Sequence, residues 1–505
     1  MNTNFNTVSK LLLAGSFMAT VACQKVSEKK ELEQALSATA SSDAFTPTNY
    51  SVTPPLVKKL AGFEALEVYS LIGSDDTLSY SPSFIFGGSA DGAGLLKLPA
   101  GGFAGIPNAK YAYIVNHEDN FAVSRILLDG RLRPLKGEYI LNSNGGTWRL
   151  CSATMATPQE NGFGPTYLTC GESGEESRTH AISPLEIAYS PSMSKEVPGL
   201  GRWSAENALP LSQKAYAGKT IIMVTDDDSG NEGGQVNLYM NDVVGDLNNG
   251  SLYTLRRTNL DTRERSMTTG STYDVEFVQI EDAATLTGRQ MNVKTTELSA
   301  IKFGRVEDID YRKGGGDKNR ELFFTVTGQP FSGVNADSSR TKYGRIYRLK
   351  LDKNNPLKGK IEVVLDGDVR PGIADQFQDP DNICVTENYV YVQEDPNSYG
   401  DETHDAYLYQ YNLLTKELKK VFEIDHRRDA ADAVKYNPTG PSSKGSWEYG
   451  SMIDISNTVN VPGTFLLCVQ PHTWRGAKYA GVDGGTLRAT ENQASQVLIV
   501  RGLER

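Results

Sequence analysis

The chain has 505 residues, 62 acidic and 51 basic, for a net charge of −11, and its basic residues are scattered. That balance argues against nucleic acid as a partner, because phosphate backbones are held by dense Lys/Arg patches. With 5 His and 5 Cys in widely separated places, a His-rich zinc site and a disulfide-rich scaffold are both disfavoured. An acidic, Asp-rich chain suits hard cations instead.

In chain order, Lys10 and the apolar run Leu11–Ala22, ending "TVAC", predict a signal peptide over residues 1–22. Cys23 resembles the acylated cysteine of the bacterial lipoprotein cleavage box, with Thr20 where that box usually has leucine. A lipid on Cys23 would hold an exported protein on the cell envelope without a spanning segment; plain secretion is the alternative. Residues 23–45 are polar and charged and read as a tether. Residues 46–505 contain no linker and are expected to form one domain, acting as a monomer.

Within that domain the pattern is short alternating strands separated by turns, as in "AYIVNHE" (112–118), "TIIMVTDDDSG" (220–230), "LFFTVTGQ" (322–329), "YVYVQED" (389–395) and "TFLLCVQ" (464–470). A weak self-similarity links "GQVNLYM" (234–240), "GRIYRLKL" (344–351) and "DAYLYQYNL" (405–413), the last two followed by a turn and a charged strand. Such units predict an all-β fold, a β-propeller with long inter-strand insertions; a large β-sandwich is the alternative. "QVLIVRG" (496–502) could pair with an N-terminal strand and close the ring.

Several strands end in acids: Glu118, Asp226 to Asp228, Glu394 and Asp395, with Glu206 and the Arg305, Glu307, Asp308 group between them. In a propeller, strand ends scattered through the chain converge on one channel, which explains the lack of a compact motif. Each also has an ordinary reading, as a solvated Asp-Gly turn or an exposed charged strand. Cys170 follows a strand and precedes Glu172, Glu175 and Glu176. It is either a buried small residue, half of a bridge with Cys151, or a metal-bound thiolate; a thiolate among carboxylates suggests a redox-capable transition metal alongside calcium.

The segments "VNHEDN", "RLCSATMATPQENGFGPTYLTCGES", "LGRWSAENA", "FGRVEDIDY", "DPDNICVTENYVYVQEDPN" and "WEYGSMID", in that order, resemble the PhoX alkaline phosphatases, which share the DUF839 domain. The resemblance implies a six-bladed propeller, export, and a central site holding a ferric iron pair with calcium ions. On it, Cys170, Glu206 and Glu307 resemble the iron ligands and Arg305 the phosphate-binding arginine, while Glu118, Asp227, Glu394 and Asp395 are candidate calcium ligands. Three positions depart from the family pattern: Gly171 where an acid is usual, Ala205 for histidine, and Val306 for proline. They bear on substrate preference, metal occupancy and turnover. The expected activity is hydrolysis of small phosphate monoesters. A calcium-dependent lactonase or phytase, or a non-catalytic binding propeller, would need no iron and would leave Cys170 dispensable.

Overall fold

The alternating segments form short antiparallel strands, and their pairing sets the architecture. The computed structural model describes residues 46–332, 336–396 and 403–505; the expected signal peptide, Cys23 and the tether lie outside them. Four consecutive strands, Ala90–Lys97, Tyr111–His117, Ala122–Leu128 and Pro134–Leu141, make the first sheet. Arg149–Ala156, Thr166–Glu172 and Thr179–Ile182 make the second.

The third sheet has nine strands and consists of two four-stranded meanders joined at their outer edges. One runs outward through Ala205–Pro210, Thr220–Asp226, Gln235–Asn241 and Ser251–Arg257; the other through Val306–Tyr311, Glu321–Val326, Arg345–Leu351 and Lys358–Asp366. Thr272–Ile280 bridges Ser251–Arg257 and Lys358–Asp366. It belongs to the insertion over 258–305, which also carries the helix Gly288–Glu297, opened by a Thr287/Gln290 capping box.

Pro380–Val385, Tyr389–Glu394, Tyr407–Asn412 and Leu418–Ile424 form the fourth sheet, with Val57–Lys59 on its outer edge. The last sheet contains Glu448–Asp454, Thr464–Gln470 and Gln496–Arg501. Its fourth strand is Glu67–Gly73, paired with Gln496–Arg501 from Glu67↔Arg501 to Gly73↔Gln496. The anticipated partner of "QVLIVRG" is therefore this segment, and the ends of the domain are hydrogen-bonded together. Gln496 reinforces the junction by accepting from the Leu56 N–H at 2.9 Å.

The first strands of these meanders (Ala90–Lys97, Arg149–Ala156, Ala205–Pro210, Val306–Tyr311, Pro380–Val385 and Glu448–Asp454) each lie against the next, and the last lies against the first. The fold is all-β and propeller-like, with these six inner strands around one axis, not a sandwich. Apolar clusters fill the spaces between neighbouring sheets. Leu168, Ile222, Tyr239 and Leu252 lie in one, Tyr391, Trp447, Phe465 and Leu498 in another.

Every inner strand carries the same defect near its start. Pairing with the second strand shifts between Ala90 and Ala93, Leu150 and Ala153, Ala205 and Ala208, Val306 and Ile309, Pro380 and Ile383, and Tyr449 and Met452. In each case three steps along the inner strand match two along its partner, which is one extra residue, a β-bulge that re-aims the side chains it contains. The first bulged residue is Asp91, Cys151, Glu206, Glu307, Asp381 or, in the last sheet, Gly450. A Cβ on Gly450 would sit 2.4 Å from the Ala90 carbonyl oxygen and 2.9 Å from Asp91 Oδ1, so the backbones approach too closely for a side chain. Gly450→Ala is expected to cost about 1–3 kcal/mol by overpacking and to lower the melting temperature. Gly130→Ala, with Lys110 Cγ 3.7 Å away as its nearest contact, should leave it unchanged.

Candidate metal centre

The bulges deliver a ring of donor side chains to the axis. The second strands deliver another from the residue just past the last pair before each bulge: Glu118, Glu172, Asp227, Thr327, Asp395 and Gln470. The carboxylates and the thiol of these two rings, with Glu448, form five overlapping triads whose ligand atoms lie within 4.8 Å of one another. They are Asp91–Cys151–Glu206, Glu118–Cys151–Glu172, Glu172–Asp227–Glu307, Glu206–Glu307–Asp381 and Asp381–Asp395–Glu448. The set comprises nine carboxylates and one thiol.

Positive charge is sparse beside it. Arg305 donates from Nε to Asp227 at 2.7 Å and pairs with Glu307 at 2.9 Å. Its backbone has φ +69, in the left-handed region that a non-glycine residue enters only when its surroundings hold it there. Arg149 reaches Asp119 at 3.1 Å, Glu118 at 3.4 Å and Glu172 at 3.7 Å, with 40% of its side chain exposed. His472 Nε2 lies 3.1 Å from Glu448. Asp91, Glu206 and Asp381 make no ion pair among the described residues, and Asp91 Oδ1 is buried without a hydrogen-bond donor.

Burial and mutual repulsion push these carboxyls toward the protonated form. Asp91, Glu206, Glu307 and Asp381 are all raised well above the usual range, by burial first and then by neighbouring acids. Burial also lifts Glu172, with Asp227 beside it, and takes Asp227 up to about 7 against the opposing pull of Arg305. Arg305 stays charged, because Asp227 and Glu307 outweigh the burial that opposes it. A second layer supports the first. The Ser152 N–H donates to Glu206 at 3.0 Å. Asp308 accepts from Asn207 Nδ2 at 2.6 Å, from its neighbour's Ile309 N–H at 2.8 Å and from the Ile383 N–H at 3.0 Å.

Of the residues the sequence singled out, Glu118, Glu206, Asp227, Arg305, Glu307 and Asp395 meet at this centre. Cys170 and Glu394 do not. Cys170 packs with Leu168, Leu200 and Trp203 in the apolar cluster between the second and third sheets, its sulfur 3.3 Å from Thr179 Oγ1. Burial takes its thiol up to about 12. The sulfur at the axis is that of Cys151, and Cys151, Cys170, Cys384 and Cys468 are all free thiols, so the Cys151–Cys170 bridge is absent. Glu394 is held inside its sheet by the N–H groups of Gln378 and Tyr407 at 2.8 Å, the Tyr409 hydroxyl at 3.0 Å and His404 Nε2 at 3.0 Å.

Asp91, Cys151, Glu172, Asp381 and Glu448 complete the centre. A sequence signal for three of these exists: a donor followed by a small polar residue or glycine recurs as Asp91-Gly92, Cys151-Ser152, Glu206-Asn207, Glu307-Asp308 and Asp381-Asn382. The three departures from the family pattern fall outside the triads. Ala205 and Val306 precede the bulged Glu206 and Glu307 and are buried, and Gly171 pairs with Leu150.

No protein-family model matches the chain, and no curated protein matches it in sequence. Among solved structures, Pseudomonas fluorescens PhoX in complex with vanadate, described as a transition-state analogue, aligns with a TM-score of 0.60 at 14% identity, over 91% of this chain and 98% of that one. The fold is PhoX-like. A GH93 α-L-arabinofuranosidase of Fusarium graminearum aligns at a TM-score of 0.39 and 11% identity, covering 86% of this chain and 98% of its own. The PQQ-bound aldose sugar dehydrogenase of Streptomyces coelicolor aligns at 0.33 and 11%, covering 88% and 100%. At these identities the likeness to PhoX carries architecture; the chemistry rests on the donors of this chain.

The raised carboxyls set a pH dependence for the metal-stripped protein. Asp227 and Asp308, both held up to about 7 with burial the leading cause, keep protons that the unfolded chain releases near pH 4. Folded protein therefore binds more protons than unfolded protein between about pH 4 and 7, and stability falls as pH rises through that window. Each such carboxyl contributes about 1.4 kcal/mol to the fall for every pH unit of the window. After treatment with a chelator the melting temperature should drop from pH 5 to pH 8. A chelated protein that melts higher at pH 8 would contradict this account.

Proposed function

We propose that the chain is an exported hydrolase of phosphate monoesters, built on a six-bladed propeller with iron and calcium in its central channel. The observation that carries this reading is the donor set, nine buried or nearly buried carboxylates and one thiol in overlapping triads. Such a crowd of like charge with two guanidiniums beside it suits several bound cations. The all-oxygen triads around Glu307, Asp381, Asp395 and Glu448 fit calcium, a hard ion that takes carboxylate ligands. The two triads that contain Cys151 add a soft sulfur and fit a transition metal such as iron, held by Cys151 with Asp91, Glu118, Glu172 and Glu206. Bound there, the metals would supply Lewis acidity and activate water near neutral pH.

The protein's own groups account for binding and orientation. Asp227 and Glu307 take the Nε and Nη2 donors of Arg305 and fix its guanidinium at the channel, with Nη1 as the donor for a phosphate oxygen. Arg149, half in solvent, adds positive charge that draws anionic esters toward the opening. The buried walls exclude water, which strengthens each of these interactions. The six-bladed count follows the six inner strands, the nine-stranded sheet contributing two blades. A lipid on Cys23, export and a monomeric state belong to the same reading; no helix among the described residues is long and apolar enough to cross a membrane.

Two variants test the roles. Arg305→Ala should lower kcat/KM for a generic phosphomonoester by roughly 100-fold or more, the usual loss for one oxyanion donor, with metal content retained; loss of the metals would overturn the role given to Arg305. Cys151→Ser should reduce iron content, whereas Cys170→Ser should keep it. The opposite pattern would return the metal-binding role to Cys170.

A further inference from the structure

Arg305 reaches the channel from an unfavourable backbone. Its φ of +69 lies in the left-handed region, where a residue with a side chain stays only if its neighbours over-determine it. Four hydrogen bonds fix the three peptide groups around it. The Arg305 carbonyl accepts from the Thr327 N–H at 3.1 Å, and the Gly304 carbonyl accepts from the Gly328 N–H at 2.8 Å. One peptide earlier, the Phe303 carbonyl accepts from the Gly234 N–H at 3.0 Å, while the Gly304 N–H donates to Glu264 Oε2 at 3.0 Å. Three of these partners are backbone groups. The fourth is a side chain, Glu264.

Glu264 belongs to the insertion over 258–305, in the short turn Glu264–Ser266, and is fully buried. It is a member of none of the triads. Its Oε2 also accepts from the Thr341 N–H at 3.1 Å, and its Oε1 accepts from the Tyr347 hydroxyl at 3.0 Å. Arg345 Nη1 secures the turn itself, donating to the Glu264 and Met267 carbonyls at 3.4 and 3.2 Å. Tyr347 and Arg345 lie on the strand Arg345–Leu351, in the same meander as Glu307. A buried carboxylate is costly unless its oxygens find donors, and here both do. One side chain of the insertion thus ties the Gly304–Arg305 turn to the meander behind it.

We propose that Glu264 is a positioning residue, which through the Gly304 N–H holds Arg305 in the left-handed turn that aims its guanidinium at Asp227, Glu307 and the phosphate. The part that concerns phosphate rests on the phosphatase reading; the hold on the backbone does not. Without the carboxylate the Gly304 N–H would be buried and unpaired, a cost relieved by rotating that peptide toward another acceptor. Arg305 would then relax to a negative φ, and its Cβ, with the guanidinium beyond it, would swing away from the axis. The insertion thereby sets the phosphate affinity of the channel from outside the channel.

Three substitutions in the full-length protein as isolated separate this role from a merely structural one. Glu264→Ala removes the carboxylate, and Glu264→Asp keeps its charge but shortens its reach by one methylene. Both should lower kcat/KM for p-nitrophenyl phosphate, and weaken binding of inorganic phosphate, by about tenfold or more, as a misplaced binding group does, with metal content unchanged. Glu264→Gln, which keeps an acceptor at the original reach, should behave as wild type. In an Arg305→Ala background Glu264→Ala should cost nothing further, since the two residues act as one unit. A crystal structure of Glu264→Asp should show Arg305 outside the left-handed region; if Glu264→Ala does not fold, Glu264→Asp decides. A wild type that binds no phosphate, with Arg305 displaced in the variant, would contradict the phosphatase reading and support the positioning role. Arg305 unmoved in the folded variants, or losses that add in full to that of Arg305→Ala, would overturn the proposal.

Discussion

Nine carboxylates directed at one axis repel each other, and the rest of the structure is arranged around that repulsion. The six bulges aim the donors inward, the glycine at position 450 lets the last inner strand close on the first, and the pairing of Glu67–Gly73 with Gln496–Arg501 keeps the ring from opening. Without cations the repulsion is relieved by protonation, which is why burial and neighbouring acids drive the central carboxyls upward together. With cations it is relieved by coordination. Ion binding and ring stability are then linked by mass action, so any cation held at the centre also acts on the fold.

Much of the architecture was legible because it depends on alternation. The three similar segments at 234–240, 344–351 and 405–413 correspond to the third strands Gln235–Asn241, Arg345–Leu351 and Tyr407–Asn412, one in each of three successive meanders. Their uneven spacing comes from the insertion over 258–305, with its bridging strand and its helix. The acids at strand ends were legible too, since Glu118, Asp227 and Asp395 follow strands with a clear period of two. What alternation cannot show is a bulge. One extra residue reverses which face the following side chains take, so Asp91, Cys151 and Asp381 read as ordinary strand positions until pairing is known.

The cysteines show the same limit. Acids follow Cys170 and made it the attractive candidate, yet Glu172, two residues later, is the member of that strand that reaches the axis, while Cys170 joins an apolar cluster. Cys151 carries no acidic neighbours in sequence and acquires them only when the inner strands assemble. A similar one-residue difference separates Glu394 from Asp395: the first is satisfied within its own sheet, the second faces Asp381 and Glu448. Ala205 and Val306, although they depart from the PhoX pattern, stand just before bulged donors and leave Glu206 and Glu307 in place.

Elemental analysis of the protein as isolated, without added metal, tests the central claim most directly. The account predicts an iron pair together with calcium, in an amount that falls when Cys151 is replaced. Calcium with no iron, or no bound metal at all, would contradict it.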